Sequence, residues 1–445
     1  MNKTLDKVII EVLESSSMPL SVRQITDIII KGKLWFRPSD KKLPDAIQVS
    51  ARINKYPKYF TRQGKIGFVN LIGFTLNFVK KSLQLEIDSF FKLLNSEVSI
   101  TKQAFSKARQ KISHEPFKAL FETTVQLVRS EDDMDTFKGL NVSAIDGTTL
   151  ALENMPELVE YFGCSGAGAT AATARASALY DVLNEALLDV RIDRLSCGER
   201  ELASQHILQL QEMGVSNDLI IFDRGYASAK LIAELFESGI HFLMRVRSKF
   251  NNEIDALASS DGSVEITYEQ KAYPVRVIKF PLPSGEMETL ITDLPQDLFE
   301  ASDFQALYFK RWPIETRYDA LKVKLQLENF TGKTVLSVLQ DFYASMFLSN
   351  MATFAKYVTD AEIQKDNADK DLDYEYKTNV NILIGKLKDN LVLALLEPNP
   401  HKRDRALKKV LAEISKNRTP VRPDRQFERK VPRKKRFFMN KKSAL

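Results

Sequence analysis

The sequence predicts an α/β multidomain protein, and three observations lead there. At 445 residues the chain exceeds one ordinary domain, so two to four are expected. From Gly139 onward, β-branched apolar runs alternate with segments of helical period, which is the texture of a sheet covered by helices. The segments before and after that stretch read as helical. With 44% hydrophobic and 27% charged residues, the chain has ample material for a core.

Residues 1–72 look self-contained. TLDKVIIEVLES carries helical apolar spacing, and SMPLSVRQITDIIIKG adds a Ser/Pro start, a second helix and a closing Gly. A third helix is expected over PDAIQVSARINKY. YFTRQGKIGFVNL then reads as two short strands about Gln-Gly, a wing. Helix, helix, helix and wing is the winged helix-turn-helix order. The phrase PLSVRQITDIII, the Trp35 turn and F-x-R-x-G-K-x-G-F resemble the HARE-HTH winged-helix domain. That resemblance implies DNA contacts from Arg52 and Lys55 of the third helix and from Arg62 and Lys65 of the wing. Winged helices also dock proteins, so both uses stay open.

Residues 75–137 read as a helical DNA-binding region, with the basic amphipathic segment TKQAFSKARQKI (Lys102, Lys107, Arg109, Lys111). GLNVSAIDGTTLAL is then a strand around an acid. SALYDVLNEALLDVRID reads as two strands about Asn-Glu, and ERELASQHILQLQEMG as a helix with a Gly stop. NDLIIFDRGYAS is an apolar strand ending in an acid, AKLIAELFESG a helix, and IHFLMRVRS another strand. The order β, β-β hairpin, α, β, α, β is that of a ribonuclease H-like mixed sheet, expected as a catalytic core over 138–250 and 303–360. A β-rich insertion (251–302) interrupts it, and a helical region with a basic tail (361–445) follows. NADKDLDYEYK (367–377) reads as an acidic solvated linker.

Open α/β sheets bind ligands beyond the carboxyl ends of their strands, and two acids stand there. Asp146 lies in AIDGTT, and Asp223 follows the apolar run LIIF. An Asp in an apolar strand costs several kcal/mol unless it is paired or holds a metal. Taken singly, Asp146-Gly147 also suits a turn and Asp223-Arg224 a surface ion pair.

YFKRWPIETRYDALK (308–322) supplies a third acid. On a continuous helix Tyr308, Arg311, Glu315 and Lys322 share a face of roughly 60°. Pro313 should start or kink a helix, so that face is approximate. By itself it is either a salt-bridged surface or a wall offering a carboxylate to a metal and bases to a polyanion. Tyr-x2-Arg-x3-Glu-x6-Lys resembles the signature of bacterial insertion-sequence DDE transposases, and IDGTT and DRGY resemble their other two acidic motifs. The resemblance covers about residues 75–390. It implies Asp146, Asp223 and Glu315 as a catalytic, metal-binding triad, with Tyr308, Arg311 and Lys322 on transposon-end phosphates. Arg224 and Trp312 join the candidate DNA contacts; Trp312 suits core packing as well as base stacking.

Three carboxylates offer hard oxygen ligands for two Mg²⁺ ions, with Mn²⁺ as a substitute. The partner implied is double-stranded DNA, both element ends and target, cut and joined by a homodimer in a synaptic complex. The other histidine- and cysteine-based chemistries are poorly supplied. Four histidines lack HxxxH spacing, and Cys164 and Cys197 make neither a disulfide framework nor a Cys-rich zinc site. No signal peptide or membrane span is expected, which suggests a cytoplasmic, nucleoid-associated bacterial protein. Net charge is +6, but residues 401–445 hold 17 Lys/Arg against 4 Asp/Glu, so this end alone is +13 and the first 400 residues −7. Such a tail suits a polyanion. Two alternatives remain at this stage. A ribonuclease H-like nuclease would need the triad without the Tyr-Arg-Glu-Lys face, and a non-catalytic regulator descended from a transposase would be expected to lack an acid.

Overall fold

The computed structural model describes residues 5–15, 22–34, 43–44, 66–77, 81–130, 134–165, 171–214, 217–282 and 284–422. Trp35, the expected third helix, Arg52, Lys55, Arg62 and Lys65 lie outside the described residues, as does the basic tail from 423.

At the N-terminus, α1 (Leu5–Glu14) and α2 (Val22–Lys31) form the first two expected helices. Leu5, Val8, Ile9 and Val12 recur on one face of α1 and bury against Ile25 and Ile29 of α2, in a cluster separate from the main core. The second wing strand, expected through Phe68–Leu71, is instead the start of a helix, α3 (Phe68–Thr75). Its apolar run is too continuous for a half-solvated wing. It packs inward: a Cβ added to Gly73 would stand 3.3 Å from side-chain carbons of Val392 and Leu396.

Three helices follow, α4 (Leu83–Leu93), α5 (Lys102–Arg109) and α6 (Glu115–Ser130). Thr101 caps α5 by accepting from the Ala104 amide. Arg109, expected on a basic DNA-facing segment, turns inward and is 4% exposed.

The sheet begins with β1 (Asn141–Ala151). A short helix, α7 (Pro156–Phe162), not anticipated from the sequence, precedes the hairpin of β2 (Thr173–Asp181) and β3 (Ala186–Arg194). Its signals were there: Pro156 opens it, Leu158 and Phe162 bury, and Gly163 closes it at φ +91°. After α8 (Glu199–Met213) come β4 (Asp218–Phe222), α9 (Ala229–Ser238) and β5 (His241–Val246). Residues 251–302 add α10 (Asn252–Ala256) and the strands β6 (Asp261–Tyr268), β7 (Lys271–Pro281) and β8 (Met287–Thr292).

All eight strands form one mixed sheet in the order β3-β2-β1-β4-β5-β8-β7-β6. β1 pairs antiparallel with β2 and parallel with β4, and β4 pairs parallel with β5. The order 3-2-1-4-5 with a single antiparallel hairpin fits the ribonuclease H-like core expected from the sequence. β4 is buried along its whole length, which is why it reads as an uninterrupted apolar run. β8 joins the sheet directly, antiparallel to β5.

The single helix considered for 308–322 is two: α11 (Ala301–Phe309) and α12 (Pro313–Val323). Pro313 lacks an N–H and therefore begins a helix, leaving Lys310–Trp312 as the turn. α13 (Val335–Asn367) runs 33 residues and crosses position 360, where a boundary was expected. The stretch expected as a solvated linker (367–377) is exposed along most of its length and runs into β9 (Glu375–Thr378). After α14 (Val380–Leu396) and α15 (Pro400–Ser415), β10 (Arg418–Val421) pairs antiparallel with β9. Thr378 is buried and its hydroxyl meets that of Thr359, which ties the small sheet to α13.

Candidate active site

Asp146 sits on β1 two residues past Ala144, the last residue paired with β4. Ala144 is opposite Ile221, so continuing the same parallel register sets Asp146 level with Asp223. The two acids thus share the carboxyl end of the sheet, each just beyond the last apolar pair. Asp146 Oδ1 accepts from the Gly147 amide at 2.9 Å, and Asp223 Oδ1 from the Gly225 amide at 2.8 Å. Each carboxylate is therefore aimed by a backbone amide one or two residues after it in sequence.

Glu315 is in the first turn of α12, and two side chains of that helix fasten it to β1. The Tyr318 hydroxyl donates to the Asp146 carbonyl at 2.9 Å. Lys322 Nζ donates to Thr148 Oγ1 at 2.6 Å and to the Thr149 carbonyl at 2.9 Å. Tyr318 is three residues beyond Glu315, hence on the same helical face.

The three carboxylates also interact electrostatically. The Asp146 carboxyl is pushed up to about 6, chiefly because burial strips its water, and the charges of Asp223 and Glu315 add to the rise. The Gly147 amide and the Arg311 guanidinium pull the other way. In the protein as described, Glu315 Oε1 is held by Arg311 Nη2 at 2.8 Å. Among the described residues, no three His, Cys, Asp or Glu side chains are gathered tightly enough to form a metal-ligand group. The donor set fits a hard divalent cation in kind, since all three groups are carboxylates and Asp146 lacks a countercharge in contact with it. It is not a preassembled cage.

Arg311 is buried, at 7% exposure, between Tyr308 and Trp312, with its guanidinium 6.0 Å and 5.8 Å from the two ring centres. Its Nε has no hydrogen-bond partner. Trp312 is 53% exposed, which removes the core-packing reading and leaves its indole at the surface beside Arg311. Arg224 is exposed. Tyr308, Arg311 and Lys322 thus lie around the acids, although Lys322 already has partners on β1.

Four neighbours escaped the sequence reading. Tyr226 closes the DRGY motif, yet its phenol is buried without a hydrogen-bond partner. Burial first, then the charges of Asp146, Glu199 and Asp223, hold it well above its usual range. Tyr318 was legible in principle from its spacing to Glu315. Glu288 of β8 is buried in an ion pair with Arg245 of β5. Burial raises its carboxyl, and Arg245, Arg224 and Arg311 oppose that rise, so both residues belong to the electrostatic surroundings of Arg311. Nothing in the local sequence marks Arg245 or Glu288, because strands β5 and β8 become neighbours only in the sheet.

The mixed sheet thus sets Asp146 within its first strand and Asp223 just past its fourth, with Glu315 on a helix docked against the first. Residues 138–351 match the family model described as "Transposase DDE domain". A protein of Escherichia coli (strain K12) named "Putative transposase InsZ" is 26% identical over 197 residues, covering 42% of this chain and 64% of that relative. The chain therefore matches just under two thirds of the relative's length. Among solved structures, a piggyBac transposase synaptic complex with hairpin DNA aligns over 95% of this chain and 88% of its own, at 12% identity and TM-score 0.41. A pre-cleavage Mos1 transpososome aligns over 80% of this chain and 98% of its own, at 8% identity and TM-score 0.18. At such scores neither likeness defines a shared fold.

Proposed function

We propose that the protein is a DNA transposase that binds the terminal inverted repeats of its own insertion sequence, cuts there and joins the ends to a target. The observation that carries this reading is the convergence of Asp146, Asp223 and Glu315 from three separate elements, within a span that matches the transposase DDE domain. Asp146, Asp223 and Glu315 would hold Mg²⁺, or Mn²⁺ in its place. When bound, such ions supply Lewis-acid stabilisation of the attacking and departing oxygens.

The chain's own residues do the rest. The backbone amides of Gly147 and Gly225 aim two of the carboxylates. Tyr318 and Lys322 hold the helix of Glu315 against β1. Arg311, which here holds Glu315, would offer its planar fork to a DNA phosphate. Trp312, exposed beside it, offers a face for a base, and Arg224 a further charge. Residues 1–72 read DNA through Arg52, Lys55, Arg62 and Lys65, and the working form is a homodimer on two ends.

The test is cleavage of duplex carrying the DNA that flanks the coding sequence, compared with random duplex of equal length, in Mg²⁺. A transposase cuts the flanking DNA preferentially, and Arg311→Ala removes that preference. A plain nuclease cuts both alike and loses both by one factor in the variant. That second outcome would end the transposase reading.

A further inference from the structure

Beneath Asp146, on the other side of β1, lies a chain of polar groups that the proposed chemistry does not use. Side chains alternate along a strand. Gly147 pairs with Ser177 of β2, so Ser177 points to the face opposite the Asp146 carboxylate. That face is covered by α8: His206 Nε2 is 3.0 Å from Ser177 Oγ, and His206 Nδ1 is 2.7 Å from Asp189 Oδ2 of β3. Arg191 Nε donates to the same Asp189 oxygen at 2.7 Å. At the other end, Ser177 Oγ is 3.2 Å from the main-chain carbonyl of Asp146.

A serine, a histidine and an aspartate in line suggest a nucleophile, but His206 is 0% and Ser177 1% exposed, so no substrate reaches them. Donor counting gives another role. Burial alone would raise the Asp189 carboxyl, but His206 and Arg191 outweigh it and hold the group below its usual range, so Asp189 is a carboxylate and only accepts. His206 Nδ1 therefore carries a proton. Ser177 has one hydrogen and two acceptors in reach, the Asp146 carbonyl and His206 Nε2. If Nε2 is bare, Ser177 can donate to it, and the Asp146 carbonyl keeps the Tyr318 hydroxyl alone. The 3.2 Å contact runs the other way, from the Ser177 hydroxyl to the Asp146 carbonyl, so the hydroxyl serves the main chain of β1. Buried polar networks are stable when every member is paired.

Building on the transposase reading, we infer that Ser177 is a positioning residue for Asp146, its hydroxyl held on the Asp146 carbonyl and backed by His206, which Asp189 fixes in turn. With Tyr318 donating to the same carbonyl, the main chain under the carboxylate is fixed from two sides. The carboxylate then occupies one place rather than several.

Two measurements on the full-length protein test this separately. The first is the ¹⁵N NMR spectrum of the imidazoles, assigned by loss of a signal in His206→Gln. The His206 signals should move in Ser177→Ala; unmoved signals would overturn the contact whether or not the protein cuts DNA. The second is nicking of supercoiled plasmid in Mg²⁺. Ser177→Ala should lower kcat about 10-fold or more with KM and melting temperature near wild type, because small misplacements of reacting groups are costly. His206→Gln keeps a donor toward Ser177 and should retain most of the rate; it serves alone if Ser177→Ala does not fold. Rates within twofold of wild type for Ser177→Ala, or a His206→Gln loss of 10-fold or more, would remove the positioning role. If Asp146→Asn still nicks, it is the transposase reading that falls, and the imidazole spectrum still rules on the relay.

Discussion

Two basic segments of this chain, 101–112 and 308–322, look alike in sequence and differ in what their buried arginines lack. Arg109 is 4% and Arg311 7% exposed. Arg109 has filled its guanidinium: Nε donates to Gln340, Nη1 to Thr331, and Nη2 to the Ser337 carbonyl and to Asp341. Arg311 has one carboxylate partner, Glu315, and a bare Nε. The lesson is that burial does not separate a structural cation from a functional one. On the proposed reading saturation does: the open Nε of Arg311, beside exposed Trp312, is free for a phosphate, whereas the donors of Arg109 are already filled.

The largest expected effect lies at the acids that share the Arg311 neighbourhood. Asp146→Asn, Asp223→Asn and Glu315→Gln should each lower cleavage by at least about 10³-fold, several kcal/mol of lost charge stabilisation. DNA affinity, measured by gel shift, should hold, since affinity comes from phosphate contacts elsewhere. Near wild-type cutting by any one variant removes that residue from the site.

Next comes the arginine pair itself. Arg109→Ala should cost about 3–5 kcal/mol in denaturant unfolding, because Asp341 is left buried without its cation. Arg311→Ala should change stability little and slow cleavage about 10²-fold. If both variants lose stability alike, the contrast between saturated and open guanidinium is empty.

A finer comparison sets Arg311 against Lys322. Arg311→Lys should rescue poorly, as a point charge cannot replace a planar fork. Lys322→Arg should be tolerated, since its partners are a hydroxyl and a carbonyl on β1 that another donor can reach. Rate constants of the two variants on one substrate decide it.

The smallest effect is thermodynamic. Burial holds the folded Asp146 carboxyl up at about 6, against an ordinary value of 3.8, so the folded state holds that proton more tightly than the unfolded chain. Its cost to stability is therefore absent below about pH 4 and fully present above about pH 6. In metal-free buffer Asp146→Asn should be more stable than wild type at pH 7.5 by about 1–2 kcal/mol, after discounting for partial exposure. The difference should vanish near pH 4. A constant difference across that range would mean that the substitution acts through packing.

The strands were legible because their signals are local. LIIF is apolar without interruption and became the fully buried β4, and Asn-Glu marked the turn between β2 and β3. Asp146 and Asp223 could be placed on the sheet because each follows such a run, whereas Glu315 came from the resemblance carried by 308–322. The helix of Phe68–Thr75 was misread because FVNL suits a strand when its partner is unknown; the partner is α14, more than 300 residues away. Arg109 was misread for the same reason, since its partners lie beyond residue 330. Tyr226, Glu288 and the Ser177 relay needed the sheet itself, because each acquires its neighbours across strands or from α8.

The strands of 261–292 extend the sheet through β8, which is hydrogen-bonded to β5 along Leu243–Val246. No flexible tether separates the inserted strands from those that carry the acids. Melting β6–β8 would strip a buried edge from β5 and leave its ladder amides unpaired. The inserted and core strands should therefore open together as a single cooperative block, with the slowest amide exchange spread across both. Evolution could lengthen this protein at that edge only by adding to its most stable unit, not by hanging a separate module beside it.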